Sequence, residues 1–332
     1  MTSRSGGFMA VTIRTIAIRL VVGGLLGALC LTVVSPAEAR RTTTTKPTRT
    51  GELGLAVPGW PADTGYLDSL VSRLGHTPDQ LTYYAAWATV ADFPFTYPGA
   101  GVTRPTVELV WEPWDPAAGT DQPAYSLDTI ASGAHDAYLR RWAAEIQAYQ
   151  LPVNIRLAHE MNGSWYPWSE QVNGNGPGDY AAAWRHVVDV FRAAGVTNVR
   201  WVWAPNVEYP GSTGLAALYP GDAYVDRLGV DGYNWGTTQS WSSWQSFGQV
   251  FGPTVSALRS LAPNRPIYVT ETASTEVGGS KSAWISDMWK WLDAHPEVRG
   301  ISWFSFDKET DWRIDSSKRS LDAFRAGLWP SA

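Results

Sequence analysis

The stretch VNIRLAHEMNGSWYPW occupies residues 153–168 and joins a strand pattern to a carboxylate. Val153, Ile155 and Leu157 alternate with polar or small residues, which is the period of a β-strand. Glu160 has the parity of the polar set, so we expect its side chain to point away from the apolar face. His-Glu also begins the zinc motif H-E-x-x-H, but a glycine stands where the second histidine is needed. The stretch therefore predicts a strand that ends in a functional glutamate, without a metal.

The same alternation of short apolar runs and longer helical patterns continues through the chain. Strands are predicted at Gly54–Pro58, Leu81–Ala88, Thr106–Trp111, Val153–His159, Val199–Ala204, Arg227–Asp231, Ile267–Thr270 and Gly300–Phe306. Helices are predicted over 64–74, 127–149, 179–194, 247–261, 281–294 and 317–327. This order is typical of an α/β fold, a single (β/α)8 TIM barrel. A doubly wound open sheet is the alternative, but the segment at 57–61, VPGWP, is not the glycine-rich phosphate turn it needs.

Two glutamates follow predicted strands, at the end of the barrel where βα-loops form active sites. Glu160 follows the fourth strand and Glu271 the seventh. Alternation does not help at Glu271, because it shares the parity of the apolar Ile267 and Val269. Two carboxyl groups can cleave a glycosidic bond when one is protonated and the other is ionised. Burial would keep Glu160 protonated and hydrogen bonds would keep Glu271 charged, so we predict this pair to be catalytic.

The composition is rich in aromatic residues, with 19 Trp, 14 Tyr and 9 Phe in 332 residues. Indole rings stack on the flat C–H faces of sugars, so this content favours a carbohydrate groove; a tryptophan-rich core is the alternative. The net charge of −5 offers no basic face for nucleic acid. We therefore expect a polysaccharide partner and no nucleic acid.

The N-terminus has the pattern of a secretory signal peptide. An apolar run at 20–34 follows two arginines and precedes Ala-Glu-Ala at 37–39, a cleavage site of the A-x-A kind. We predict a signal peptide at 1–39, a threonine-rich disordered linker at 40–51 and a catalytic domain at 52–332. The protein is then secreted and free of the membrane; an uncleaved anchor is the alternative. The single cysteine lies in the signal segment, so the mature chain forms no disulfide.

Several motifs together resemble one family. RLAHEMNG at 156–163, followed by WYPW at 165–168, closely resembles the acid/base segment of glycoside hydrolase family 26. This family contains β-mannanases, lichenases and β-1,3-xylanases. GYNW at 232–235 and ISWF at 301–304 resemble its segments on strands six and eight, and DWRIDS at 311–316 is similar to a stretch near its C-terminus. The resemblance runs from about residue 53 to the end and implies a retaining (β/α)8 barrel.

The resemblance also implies roles for individual residues. Glu160 corresponds to the general acid/base and Glu271 to the nucleophile. His159 and Trp165 correspond to residues that line the −1 and +1 subsites.

Four other residues complete the predicted site. By resemblance, Tyr233 hydrogen-bonds the nucleophile and Trp303 forms the floor of the −1 subsite. Glu112 ends the third strand and Asn206 follows the fifth, and we predict that both contribute to substrate binding.

The predicted function is a secreted retaining endo-β-glycanase, with β-1,4-mannan as the first substrate. The alternatives are an endo-β-1,3-1,4-glucanase (lichenase), a β-1,3-xylanase, or a non-catalytic sugar-binding barrel. Two carboxyl groups suffice for the reaction, so no cofactor is expected. A monomer is expected.

Overall fold

A computed structural model describes residues 50–102 and 104–330. The predicted signal peptide at 1–39 and all but the last two residues of the predicted linker lie outside the described residues. Within the described ranges, none of the helices combines the length and the apolar character needed to span a membrane.

Eight parallel strands close into a barrel in the order of the sequence, and β1 pairs with β8. The strands are β1 Glu52–Ala56, β2 Gln80–Ala86, β3 Thr106–Glu112, β4 Val153–Leu157, β5 Val199–Trp203, β6 Arg227–Asn234, β7 Ile267–Ser274 and β8 Val298–Phe304. The prediction of a single (β/α)8 barrel is confirmed. Glu271 lies inside β7 rather than after it, because this strand continues four residues beyond its predicted end.

Helices cover the outside of the barrel. They are α1 Gly65–Leu74, α2 Leu127–Ala131, α3 Asp136–Tyr149, α4 Asp179–Ala193, α5 Leu215–Leu218, α6 Phe247–Leu261, α7 Lys281–Ala294 and α8 Lys318–Gly327. The helix predicted at 127–149 is in fact two helices, because Gly133 adopts a φ of 86° that a helix does not allow. The short α5 was not predicted. The described residues between β2 and β3 form no helix.

Many of the tryptophans belong to the core between strands and helices. Among the largest fully buried side chains, seven are tryptophan: Trp111, Trp142, Trp168, Trp184, Trp203, Trp303 and Trp312. Trp111 on β3, for example, packs edge-on against Phe191 of α4 with ring centres 5.7 Å apart. The aromatic composition is therefore largely a property of the core, and only a few of these rings reach a groove.

The inside of the barrel is polar, unlike the branched apolar filling that is common in this fold. Asn154 on β4 donates to Gln80 on β2 over 3.2 Å. Arg156, two residues later, is fully buried and carries its guanidinium toward the mouth of the barrel. A buried charge requires paired partners, so Arg156 fixes where acidic side chains must gather.

A β-bulge in β7 gives Glu271 its direction. Val230 of β6 pairs with Val269, but the next residue, Asp231, pairs with Glu271, so Thr270 is the extra residue. The Thr270 hydroxyl donates to Asp231 Oδ1 over 2.7 Å and Glu271 bonds Arg156, so adjacent residues both face the interior. Bulges commonly redirect a side chain in this way near active sites. This explains why alternation alone did not predict the direction of Glu271.

Candidate active site

Glu160 lies in a sharp turn after β4. Ala158 and Glu160 have φ values of 43° and 53°, a region that residues other than glycine seldom occupy. The Glu160 backbone N–H donates to the carbonyl of Ala204, after β5, over 2.8 Å. The turn therefore lifts the Glu160 carboxyl above the end of β4, at a cost in backbone strain that the contact with the β5 end helps to offset.

Two neutral donors hold the Glu160 carboxyl. Trp165 Nε1 donates to Oε2 over 2.8 Å, and Asn206 Nδ2 donates to Oε1 over 2.7 Å. Gly163 makes the first contact possible, because a Cβ there would lie 2.4 Å from the indole ring of Trp165. The glycine of the HEMNG segment thus permits the ring to lie against the backbone and reach the glutamate.

The pKa of the Glu160 carboxyl is raised, which favours its protonated form. Burial and then the negative charge of Glu271 raise its pKa to about 7, against the opposing effect of its two hydrogen bonds. This is the range in which a carboxyl group serves as a general acid near neutral pH.

Glu271 has a different set of partners. Arg156 Nη2 donates to Oε2 over 3.0 Å, and the hydroxyl of Tyr84 donates to the same oxygen over 2.6 Å. The hydroxyl of Tyr233 donates to Oε1. Burial acts to raise the pKa of Glu271, but the charge of Arg156 and the tyrosine hydrogen bonds outweigh it and leave the pKa below its ordinary value. Glu271 is therefore an ionised carboxylate at neutral pH.

Arg156 is itself held by Asp231. Its Nη1 lies 2.7 Å from both carboxyl oxygens of Asp231, which also accepts from Thr270. With one nitrogen on Asp231 and another on Glu271, the guanidinium holds the nucleophile candidate at a fixed place above the barrel axis.

Two further predicted residues also lie in the mouth of the barrel. His159 is buried against Tyr166 and Trp168, with ring centres 5.0 and 5.9 Å away. Burial, and then the charge of Arg156, lowers its pKa to about 3, so its imidazole is neutral. Glu112 is the last residue of β3, and burial raises its pKa to about 7.

The prediction that Trp303 forms the floor of the −1 subsite is wrong. Trp303 is fully buried on the outer face of β8, where it packs edge-on against Trp284 of α7 and Phe324 of α8. Alternation along β8 explains this, since Ser302 and Phe304 occupy the inner face. Phe304 contacts Tyr84 and Tyr233, the two tyrosines on Glu271, edge-on at 6.3 and 5.9 Å.

Three residues of the site were not singled out from the sequence: Tyr84, Arg156 and Phe304. The alternation of β2 contained a signal, because Gln80, Thr82 and Tyr84 form the polar face of that strand. The described residues contain no cluster of three or more His, Cys, Asp or Glu side chains placed to hold a metal ion.

Comparison with known proteins agrees with this geometry. A model of glycosyl hydrolase family 26 matches residues 95–304, a range that includes both glutamates. The chain belongs to glycosyl hydrolase family 26. The resemblance found in the sequence is thereby confirmed.

Within this family, the chain is 39% identical to Endoglucanase H of Acetivibrio thermocellus over 287 residues, which is 83% of this chain and 30% of that protein. It is 36% identical to a mannan endo-1,4-β-mannosidase of Bifidobacterium adolescentis over 110 residues, or 32% of this chain and 10% of that protein. The chain thus spans less than a third of either relative.

Solved family 26 structures share the fold. A modular endo-β-1,4-mannanase of Cellulomonas fimi superposes with a TM-score of 0.60 at 20% identity, covering 84% of this chain and 70% of the other. A β-mannanase of Bacteroides ovatus gives 0.58 at 20% identity, with coverage of 83% and 88%.

Proposed function

We propose that the chain hydrolyses internal bonds of a β-linked polysaccharide with retention of configuration. The observation that carries the proposal is the contrast between two carboxyl groups in one barrel mouth. Arg156 and two tyrosine hydroxyls favour an ionised Glu271, whereas burial and the charge of Glu271 favour a protonated Glu160. Glycoside hydrolysis by two carboxyl groups requires one of each kind, and the resemblance to family 26 supports retention.

The reaction has two steps. Glu271 attacks the anomeric carbon while Glu160 gives its proton to the leaving oxygen, which forms a glycosyl-enzyme ester and frees the leaving chain. Glu160 is then a carboxylate, and it removes a proton from water that attacks the same carbon. The carbon–Glu271 bond breaks, and both glutamates return to their starting states.

β-1,4-Mannan is the first substrate that we propose. Proteins named mannan endo-1,4-β-mannosidase from three sources align with the chain at 29–36% identity over 94–110 residues. The segments that align are short, so they support the choice of substrate less than an alignment along the whole barrel would.

A β-glucan is the second candidate, and one observation favours it. The relative that aligns along 83% of the chain is named an endoglucanase. Such an alignment includes the βα-loops, which determine the fit of the sugar in a TIM barrel.

Secretion and domain organisation belong to the same proposal. We propose that residues 1–39 are removed as a signal peptide, that 40–51 form a linker, and that 52–332 act outside the cell as a monomer. N-terminal sequencing of protein from the culture medium tests this, and a mature chain that still begins at residue 1 would contradict it.

A substrate panel tests the activity. Galactomannan, a mixed-linkage β-1,3-1,4-glucan and β-1,3-xylan are offered to the protein, and the configuration of the first product is followed by NMR. We expect cleavage of mannan or glucan with a β product. An α product would exclude Glu271 as nucleophile, and binding without cleavage would favour the non-catalytic barrel.

A further inference from the structure

Most of the large apolar side chains that are exposed lie in the loops that follow the carboxyl ends of strands. Four of them, among the described residues, lie in loops that lead from the carboxyl end of a strand to the next helix: Trp165, Tyr209, Trp241 and Val277. Single exposed apolar residues are normal on a protein surface. The presence of four of them in the loops at the end that holds Glu160 and Glu271 indicates that this end meets a ligand with apolar faces.

Two of these side chains touch each other and begin at the acid. Trp165 donates its N–H to Glu160 over 2.8 Å. Its ring stacks on that of Tyr209, with centres 5.8 Å apart and planes inclined by 29°. Trp165 is 40% exposed and Tyr209 is 37% exposed, so both rings keep an open surface. Burial and the charge of Glu160 both raise the pKa of Tyr209, in agreement with its nearness to the acid.

The position of Glu160 determines which part of a substrate these rings would face. A general acid delivers its proton to the leaving oxygen, so the surface next to it receives the leaving sugar. Trp165 bonds Glu160 directly and Tyr209 lies one ring further along.

The backbone of Tyr209 is held in a turn, while its side-chain hydroxyl has no partner among the described residues. The Tyr209 N–H donates to Ser212 Oγ over 3.3 Å, and the Ser212 N–H donates back to the Tyr209 carbonyl over 3.0 Å. The next residue, Thr213, donates its N–H to the carbonyl of Asn162 and so ties this loop to the Glu160 turn. The hydroxyl of Tyr209 makes no hydrogen bond with the described residues.

We propose that Tyr209 forms a second leaving-group subsite, where its ring stacks on the second sugar beyond the bond that is cleaved. Trp165 stacks on the first. The inference rests on the proposed function. It adds a residue that favours substrates with at least two sugars on the leaving side.

Two substrates with the same glycone test the inference. One is an oligosaccharide of the cleaved backbone with at least two sugars on the leaving side, and the other is an aryl glycoside, which has none. For Tyr209→Ala we expect kcat/KM to fall roughly tenfold on the oligosaccharide, as the loss of one stacking contact predicts, and to stay within about twofold on the aryl glycoside. Tyr209→Phe keeps the ring and should resemble the wild type on both.

Tyr97→Ala is the matched control, because Tyr97 is a similarly exposed tyrosine, at 41%, between β2 and β3. It should leave the ratio of the two kcat/KM values unchanged. An equal loss on both substrates in Tyr209→Ala, or a displaced alkaline limb of its pH profile, would overturn the inference, because Tyr209 would then act through Glu160. An unchanged oligosaccharide rate would overturn it as well. A wild type that cleaves neither substrate would defeat the proposed function itself, and the inference with it.

Discussion

One glutamate follows β4 and the other lies in the second half of β7, and the groups that contact their carboxyls differ in charge. Among the described residues, the hydrogen-bond donors to the Glu160 carboxyl are two neutral N–H groups, from Trp165 and Asn206. Glu271 receives a guanidinium and two hydroxyls. Both carboxyl groups are buried, so burial alone would raise both pKa values. The groups that contact each carboxyl, above all Arg156, therefore determine which glutamate is protonated and which is ionised.

The largest effect should come from removing the carboxyl groups themselves. Glu271→Ala abolishes the glycosyl-enzyme step, so we expect kcat to fall roughly 10⁴-fold or more on every substrate. Glu160→Ala should lose roughly 10²–10⁴-fold on polysaccharide but keep the first step on an aryl glycoside, whose leaving group needs no proton. Steady-state kinetics on both substrates checks this.

Glu297→Ala is a matched control for both variants. Glu297 precedes β8 at the opposite end of the barrel, where it faces Arg259. It should keep full activity. If Glu271→Ala and Glu160→Ala lost activity equally on the polysaccharide and on the aryl glycoside, the two glutamates would not have distinct roles.

Removing Arg156, which distinguishes the surroundings of Glu271 from those of Glu160, should lower the stability of the fold. Arg156→Met leaves Asp231 and Glu271 buried without their cation, and we expect the free energy of unfolding to fall by about 3–5 kcal/mol. Urea denaturation measures it. Arg140→Met is the control, because Arg140 pairs with Asp136 on the exposed face of α3, and it should cost less than about 1 kcal/mol. Equal midpoints for the two variants would contradict the role of Arg156.

The tyrosines should tune the acidic limb of the pH profile. Their hydrogen bonds lower the pKa of Glu271, so Tyr84→Phe or Tyr233→Phe raises it, and the nucleophile becomes protonated at a higher pH. We expect the acidic limb of kcat/KM to move to higher pH, with a loss of roughly ten- to a hundredfold, the value of a hydrogen bond to a charged group.

Tyr268→Phe provides the comparison, since the Tyr268 hydroxyl bonds Glu52 at the other end of the barrel over 3.1 Å. Its profile should match the wild type. An acidic limb that stays in place in both Tyr84→Phe and Tyr233→Phe would show that Glu271 is not the group that titrates there.

The smallest effect is expected at the alkaline limb. The N–H of Trp165 stabilises ionised Glu160 and lowers its pKa, so Trp165→Phe raises that pKa. Because the first step needs a protonated Glu160, activity should persist to higher pH while the acidic limb stays fixed. Trp241→Phe, at an exposed ring whose centre lies 5.5 Å from that of Trp235, should move neither limb. A downward move in Trp165→Phe would exclude Glu160 as the acid.

The sequence by itself determined the barrel and the two glutamates. Strand alternation and helical periodicity are local patterns, and they suffice to place eight strands and most helices in order. The dense motif around Glu160 and the family resemblance supplied the rest. The resemblance gave a wrong prediction at Trp303. The alternation of β8 already indicated that Trp303 lies on the outer face of the strand and Phe304 on the inner face.

Only the tertiary structure decided what distinguishes the two glutamates. The partners of Glu271 lie 187, 115 and 38 residues away, on β2, β4 and β6, and meet it only when the barrel closes. The bulge at Thr270 that turns Glu271 inward exists only in the pairing of β6 with β7. Periodicity records which face of its own element a side chain occupies. The pKa of a buried carboxyl group depends instead on charges and donors that the fold gathers from distant parts of the chain.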